Sequence, residues 1–138
     1  MGAAEAIEPD SAPTPPLIEL RVDAEPTQLG VVRAVAGTIA AQADFDLDTI
    51  ADIRLAVDEA ASYLVVRAVP GSQLWCMFRN TGNVLAIAVS AATTGEDQSL
   101  RQSFGWHVLN TLTDYVELRH DPTGRTIVEF SLFRDPVS

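Results

Sequence analysis

Apolar and polar residues alternate from Ile18 through Glu19, Leu20 and Arg21 to Val22, the period-two signature of a half-buried strand. The pattern then lengthens to helical spacing. Glu25-Pro26-Thr27 opens a helix, with proline suited to a first turn that needs no amide donor. Leu29, Val32, Val35, Ala36, Ile39 and Ala40 form its apolar stripe, and Arg33 lies off it. Gly30 and Gly37 each cost roughly 1 kcal/mol of helix propensity relative to alanine, but small residues also permit close approach by another element. A second helix follows Asp46-Leu47-Asp48, with Asp48 as the expected N-cap. Its stripe is Ile50, Ile53, Val57, Ala61, Leu64 and Val65, and Val69-Pro70-Gly71 terminates it.

Two strands come next, Gln73 to Arg79 and Val84 to Ser90. The joint Asn80-Thr81-Gly82-Asn83 reads as a hairpin, because glycine and asparagine tolerate the positive φ of a tight turn. Ala91 to Gln102 is small and polar, the composition of a loop. Phe104, His107, Val108, Leu109, Leu112 and Thr113 predict a short amphipathic helix. Tyr115 to Arg119 and Thr126 to Phe133 form a closing hairpin around Asp121-Pro122-Thr123-Gly124. Helices interleaved with hairpins in this order predict a layered α+β fold with helices on one face of the sheet.

Composition narrows the possibilities. The 138 residues suffice for one domain with a core, and a 47% hydrophobic content excludes global disorder. Residues 1–16 are rich in Ala, Glu, Pro and Ser and end in Pro13-Thr14-Pro15-Pro16, so they read as a disordered tail before a domain over 17–135. No apolar run approaches the roughly 18–20 residues that span a bilayer. The N-terminus lacks the basic-then-apolar order of a secretory signal, which makes a cytoplasmic location the expectation. Nineteen acids against nine bases give a net charge of −10, and every base is arginine. That balance disfavours direct binding to nucleic acid or an anionic membrane and suits a partner that is basic at the contact. The single Cys76 sits in the apolar run Leu74 to Phe78 and reads as a buried thiol, while His107 and His120 stand alone. No metal site is expected.

Two motifs carry a resemblance. Asp52-Ile53-Arg54-Leu55-Ala56-Val57-Asp58-Glu59-Ala60-Ala61-Ser62 resembles the N-box helix of GHKL ATPases, specifically RsbW-type anti-sigma factors and serine-protein kinases. Phe104-Gly105-Trp106-His107-Val108-Leu109, followed by Leu112-Thr113-Asp114-Tyr115-Val116-Glu117, resembles the same family's glycine-rich turn, helix and following strand. The wording is nearest to actinobacterial members. The resemblance covers roughly Leu17 to Arg134. It implies the Bergerat fold, a two-layer α/β sandwich with a mixed, mostly antiparallel sheet and helices on one face.

The resemblance also implies a site. Glu59 takes the position of the glutamate that activates the nucleophile, against the plainer reading of a solvated or locally paired charge. The magnesium-holding asparagine is replaced by Tyr63, whose phenol is a poor neutral ligand for an ion that prefers carboxylate, carbonyl and water oxygens. In the next box Ala91 stands where an aspartate would bind the adenine amine, Thr93 replaces a glycine, and Gly95 remains. A buried amine left unpaired costs about 1–3 kcal/mol, a tenfold to hundredfold loss of affinity. The third box reads Ser103-Phe104-Gly105, and Ser62 and Thr126 complete the nucleotide-binding positions. Trp106 and His107 either gate a pocket or pack the helix start onto the sheet. ATP and Mg²⁺ are therefore expected to bind weakly or not at all.

On the first helix the resemblance places Arg33 where family anti-sigma factors contact the sigma factor, and a guanidinium suits a two-bonded carboxylate contact. A lone surface arginine is the alternative. Gly30, Ala34, Gly37 and Thr38 would let a partner helix approach closely. The implied function is sequestration of an alternative sigma factor in a partner-switching stress response. The implied assembly is a homodimer holding one sigma subunit, which is released when an unphosphorylated anti-sigma-factor antagonist of the STAS type competes. The rivals are an active serine-protein kinase acting on that antagonist, and a generic interaction module that has lost both ligands.

Overall fold

The computed structural model describes residues 17–95 and 103–134; the sequence-predicted tail at 1–16 and most of the predicted loop 91–102 lie outside them. Strand β1 spans Leu17–Asp23. A single 3-10 turn at Pro26–Gln28 leads into α1, Leu29–Gln42. Helix α2 is Leu47–Arg67, followed by β2, Gln73–Asn80, and β3, Val84–Ala92. Helix α3 is Phe104–Leu112. The hairpin of β4, Tyr115–His120, and β5, Arg125–Phe133, completes the described chain.

The strands form one sheet in the order β1-β2-β3-β5-β4. Every pairing among the described residues is antiparallel. Strand alternation sends Leu74, Cys76 and Phe78, then Leu85, Ile87 and Val89, then Val128, Phe130 and Leu132 to one face, where they are buried. The helices cover that face through Val32, Ala36, Ile39 and Ala40 of α1 and Ile53, Ala56, Val57, Ala60, Ala61 and Leu64 of α2. α3 packs on the flank of α2 and contributes the buried Leu109.

Three local details depart from the pattern. The N-cap of α2 is Asp46, whose carboxylate accepts from the Thr49 amide at 2.8 Å, not Asp48. Asp46 has the extended backbone that a cap requires, and this leaves Asp48 in the first turn, where its charge complements the positive end of the helix. Strand β3 runs two residues past the predicted Ser90, because Ala91 and Ala92 keep ladder partners in Thr126 and Arg125. Phe104, counted in the stripe of α3, is 78% exposed, and Trp106 packs against the core in its place.

The end of α2 is tied to the end of β3. Ala68 forms a bridge with Thr93, the Val69 amide donates to the Ala92 carbonyl at 2.8 Å, and the Thr94 amide donates to the Arg67 carbonyl at 3.2 Å. This clasp fixes the helix that carries the first motif against the strand that leads into the Ala91–Gly95 box.

Candidate functional site

Helix α2 presents different residues to its two neighbours. Glu59 points toward α3, whose N-terminus is capped by Ser103: the Ser103 Oγ accepts from the Trp106 amide at 3.1 Å. A β-carbon on Gly105 would lie 2.7 Å from Glu59 Oε1 and 3.5 Å from Ser103 Oγ. Glycine at 105 therefore lets a carboxylate rest against the first turn of a helix, where the amide ends of the peptide dipoles favour negative charge. The structure thus brings Glu59, Ser103 and Gly105 together.

One turn further along α2, the half-buried Tyr63 lies beneath Arg67, whose guanidinium carbon is 3.9 Å from the ring centroid. Arg67 Nη1 also donates to the Tyr63 carbonyl at 3.1 Å. Ser62 is half-buried on the same turn. At the sheet end Ala91 is fully buried and pairs with Thr126. The hydroxyls of Thr93 and Thr126 are hydrogen-bonded at 2.7 Å, and His120 Nδ1 lies 3.1 Å from Thr126 Oγ1. Thr126 is itself buried, so its hydroxyl depends on these two partners. Gly95 adopts φ +72°, a conformation that favours glycine. It borders a cavity of about 270 Å³ with Thr93, His120, Asp121 and Arg125.

At three of the positions that the resemblance assigns to the nucleotide, the side chains are engaged within the chain. The alanine methyl at 91 faces the core, the threonine hydroxyls at 93 and 126 bond one another, and the aromatic ring at 63 is capped by a guanidinium. Among the described residues no three His, Cys, Asp or Glu side chains cluster as a metal site.

The other side of α2 meets α1. Arg33 Nη1 and Asp58 Oδ1 form an ion pair at 2.5 Å, with the two side chains 40% and 29% exposed. The arginine singled out for a partner is thus already held by the residue beside Glu59. Gly37 faces Arg54: a β-carbon there would stand 3.1 Å from Arg54 Cδ and 3.4 Å from Cγ. The space above Gly37 is filled by this chain's own arginine stem. Around Gly30 a β-carbon would meet only Arg33 Nη2, at an ordinary 3.7 Å. Ala34 is exposed, and its carbonyl accepts from Thr38 Oγ1 at 3.0 Å. The pattern along the chain passes over Asp58, Arg54 and His120. The i, i+4 spacing of Arg54 and Asp58 within the first motif is the one signal that marks two of them.

The antiparallel sheet under three helices, with an N-box helix lying between the other two, defines a GHKL-type domain. The chain belongs to the histidine kinase-like ATPase domain family, whose pattern matches residues 22–130. It is 36% identical over 104 residues to the anti-sigma-F factor RsbW in each of two strains of Mycobacterium tuberculosis. The matched stretch is 75% of this chain and 62% of the relative, so the chain spans less than two thirds of the length of these proteins. A crystal structure of the RsbU and RsbW domains of a Mycobacterium tuberculosis protein matches with a TM-score of 0.72 at 19% identity. That match covers 88% of this chain and 34% of that one. At that identity the likeness bears on the fold alone.

Proposed function

We propose that the chain is an anti-sigma factor: it sequesters an alternative sigma factor in a partner-switching stress response, with ATP binding and kinase activity weak or lost. Its 36% identity to anti-sigma-F factors supports the partner class. The observation that carries the rest is the contrast between the two sides of α2. On one side, the nucleotide positions are taken up by internal contacts among Tyr63, Arg67, Thr93 and Thr126. On the other, guanidiniums remain at the α1–α2 surface. In this reading the protein acts in the cytoplasm as a homodimer, and a STAS-type antagonist releases the sigma factor by competing for it. With phosphorylation of the antagonist weak or absent, relative affinities set the switch.

Pairwise co-expression with each alternative sigma factor of the source genome tests the proposal. A stable complex with one of them is the expected result, and no complex with any would refute it. The retained Glu59 and Gly105 favour one second reading, an active serine-protein kinase. Label transfer from ATP to an antagonist, abolished by Glu59→Gln, would establish it; no transfer is expected.

A further inference from the structure

Helix α2 carries a second stripe that the core does not use. Leu47, Ala51, Arg54, Leu55 and Asp58 recur at spacings of three and four, away from the buried stripe of Ile53, Ala56, Val57, Ala60 and Leu64. Leu47 is 83% exposed and Leu55 48%. Together with Arg33 of α1, the last four residues of this stripe line an open cavity of about 310 Å³.

The two arginines differ in state. Arg33 is paired with Asp58. Arg54 is exposed and makes no hydrogen bond or ion pair with any described residue, while its stem is seated on Gly37 by the contacts described above. A guanidinium whose stem is packed and whose head is free has lost part of its conformational entropy before any ligand arrives. The groove holds two positive charges against one negative, in a chain of net charge −10. A carboxylate is repelled by the chain as a whole and attracted here.

We infer that Arg54 is a partner-binding residue, and that the α1–α2 groove takes an amphipathic helix bearing carboxylates beside aliphatic side chains. The helix belongs to the sigma factor, so the inference rests on the proposed function. Its aliphatic side chains cover Leu55 and Ala51, and a carboxylate takes two parallel N–H donors of Arg54, the helix-in-groove mode with a charged rim. Gly37 serves by seating Arg54 and not by admitting the partner helix itself. Asp58 holds Arg33 beside Arg54, so the two guanidiniums face the same ligand.

The test uses the full chain and the sigma factor that the wild type binds. Arg54→Gln and Arg54→Glu are compared with wild type for affinity, association rate and salt dependence, with circular dichroism and thermal melting as controls on the fold. Arg54 is exposed, so both variants are expected to melt with wild type. Arg54→Gln is expected to bind roughly tenfold more weakly, through slower association and with a shallower salt dependence; Arg54→Glu is expected to bind more weakly still. Ala51→Glu, an exposed position in the groove lining, is expected to weaken binding without changing the melt. Wild-type affinity in Arg54→Glu would overturn the inference while leaving the proposed function standing. Dissociation of a homodimer by Arg54→Glu with sigma binding intact would also overturn it, by assigning the groove to a second copy. Failure of the wild type to bind any sigma factor would overturn the proposed function and this inference together.

Discussion

The Glu59 carboxylate lies so close to Gly105 that a β-carbon added there would stand 2.7 Å from Oε1. Glycine at 105 is thus explained by the acid on the neighbouring helix. The atom in the way is the end of a flexible side chain, so Gly105→Ala should displace the carboxylate without unfolding the domain. Its net effect on stability is expected to stay within about 1 kcal/mol, because the gain in helix propensity offsets the displacement. In a Glu59→Ala background the same substitution should be more favourable, by a coupling of about 0.5–1 kcal/mol. Urea unfolding of the four chains measures this, and strictly additive effects would mean that the two residues do not interact.

Arg33 and Asp58 form a short ion pair, but both side chains are substantially exposed. Solvent screening keeps such pairs weak, so Asp58→Asn should cost no more than about 1 kcal/mol of folding stability. Its larger expected effect is on partner binding, where Arg33 loses the residue that orients it. Parallel unfolding and binding titrations separate the two effects; a loss of several kcal/mol in unfolding would make the pair structural.

Burial pushes the Cys76 thiol from an ordinary 9.0 up to about 12. The native protein should therefore resist thiol-specific reagents at pH 8 until it unfolds. The folded state favours the neutral thiol, so this contribution to stability is complete below pH 9 and declines progressively as pH rises toward 12. Labelling with a chromogenic disulfide, native against denatured, checks the first expectation. Rapid native labelling would contradict it.

Asp46 and Asp121 titrate in the opposite sense. The Thr49 contacts hold Asp46 below the ordinary carboxylate value of 3.8. Asp121 is lowered first by the Thr123 hydroxyl and then by the Arg125 amide, in the turn between β4 and β5. Stability from both is present above pH 3.8 and is lost as pH falls through their depressed values. Asn can accept the same backbone bonds without titrating, so the double variant Asp46→Asn/Asp121→Asn should fold at neutral pH and show a flatter acid limb of melting temperature. An unchanged acid limb would place the acid-sensitive groups elsewhere.

The fold was readable because its periods are clean. The stripe of α1 names every buried residue of that helix, and the stripe of α2 names all but Ala56 and Ala60. Caps and ends were less readable, since Asp46 and Asp48 are chemically equal candidates and only backbone geometry separates them. The motif positions Glu59, Ser103 and Gly105 lie together at the start of α3, a proximity that spacing along the chain does not reveal. The contacts that define the other side of α2 were not readable. Whether Gly37 faces a partner or Arg54, and whether Arg33 is free or held by Asp58, depends on how α1 lies across α2. That is set by long-range packing, which no local spacing encodes.

The most direct measurement is calorimetric titration of the sigma factor into the chain with and without Mg²⁺ and ATP. A partner-holding domain with a disused nucleotide site predicts tight binding in both, with the same affinity and stoichiometry, and no heat when ATP is titrated alone. Sigma binding that requires ATP, or micromolar binding of ATP itself, would contradict it.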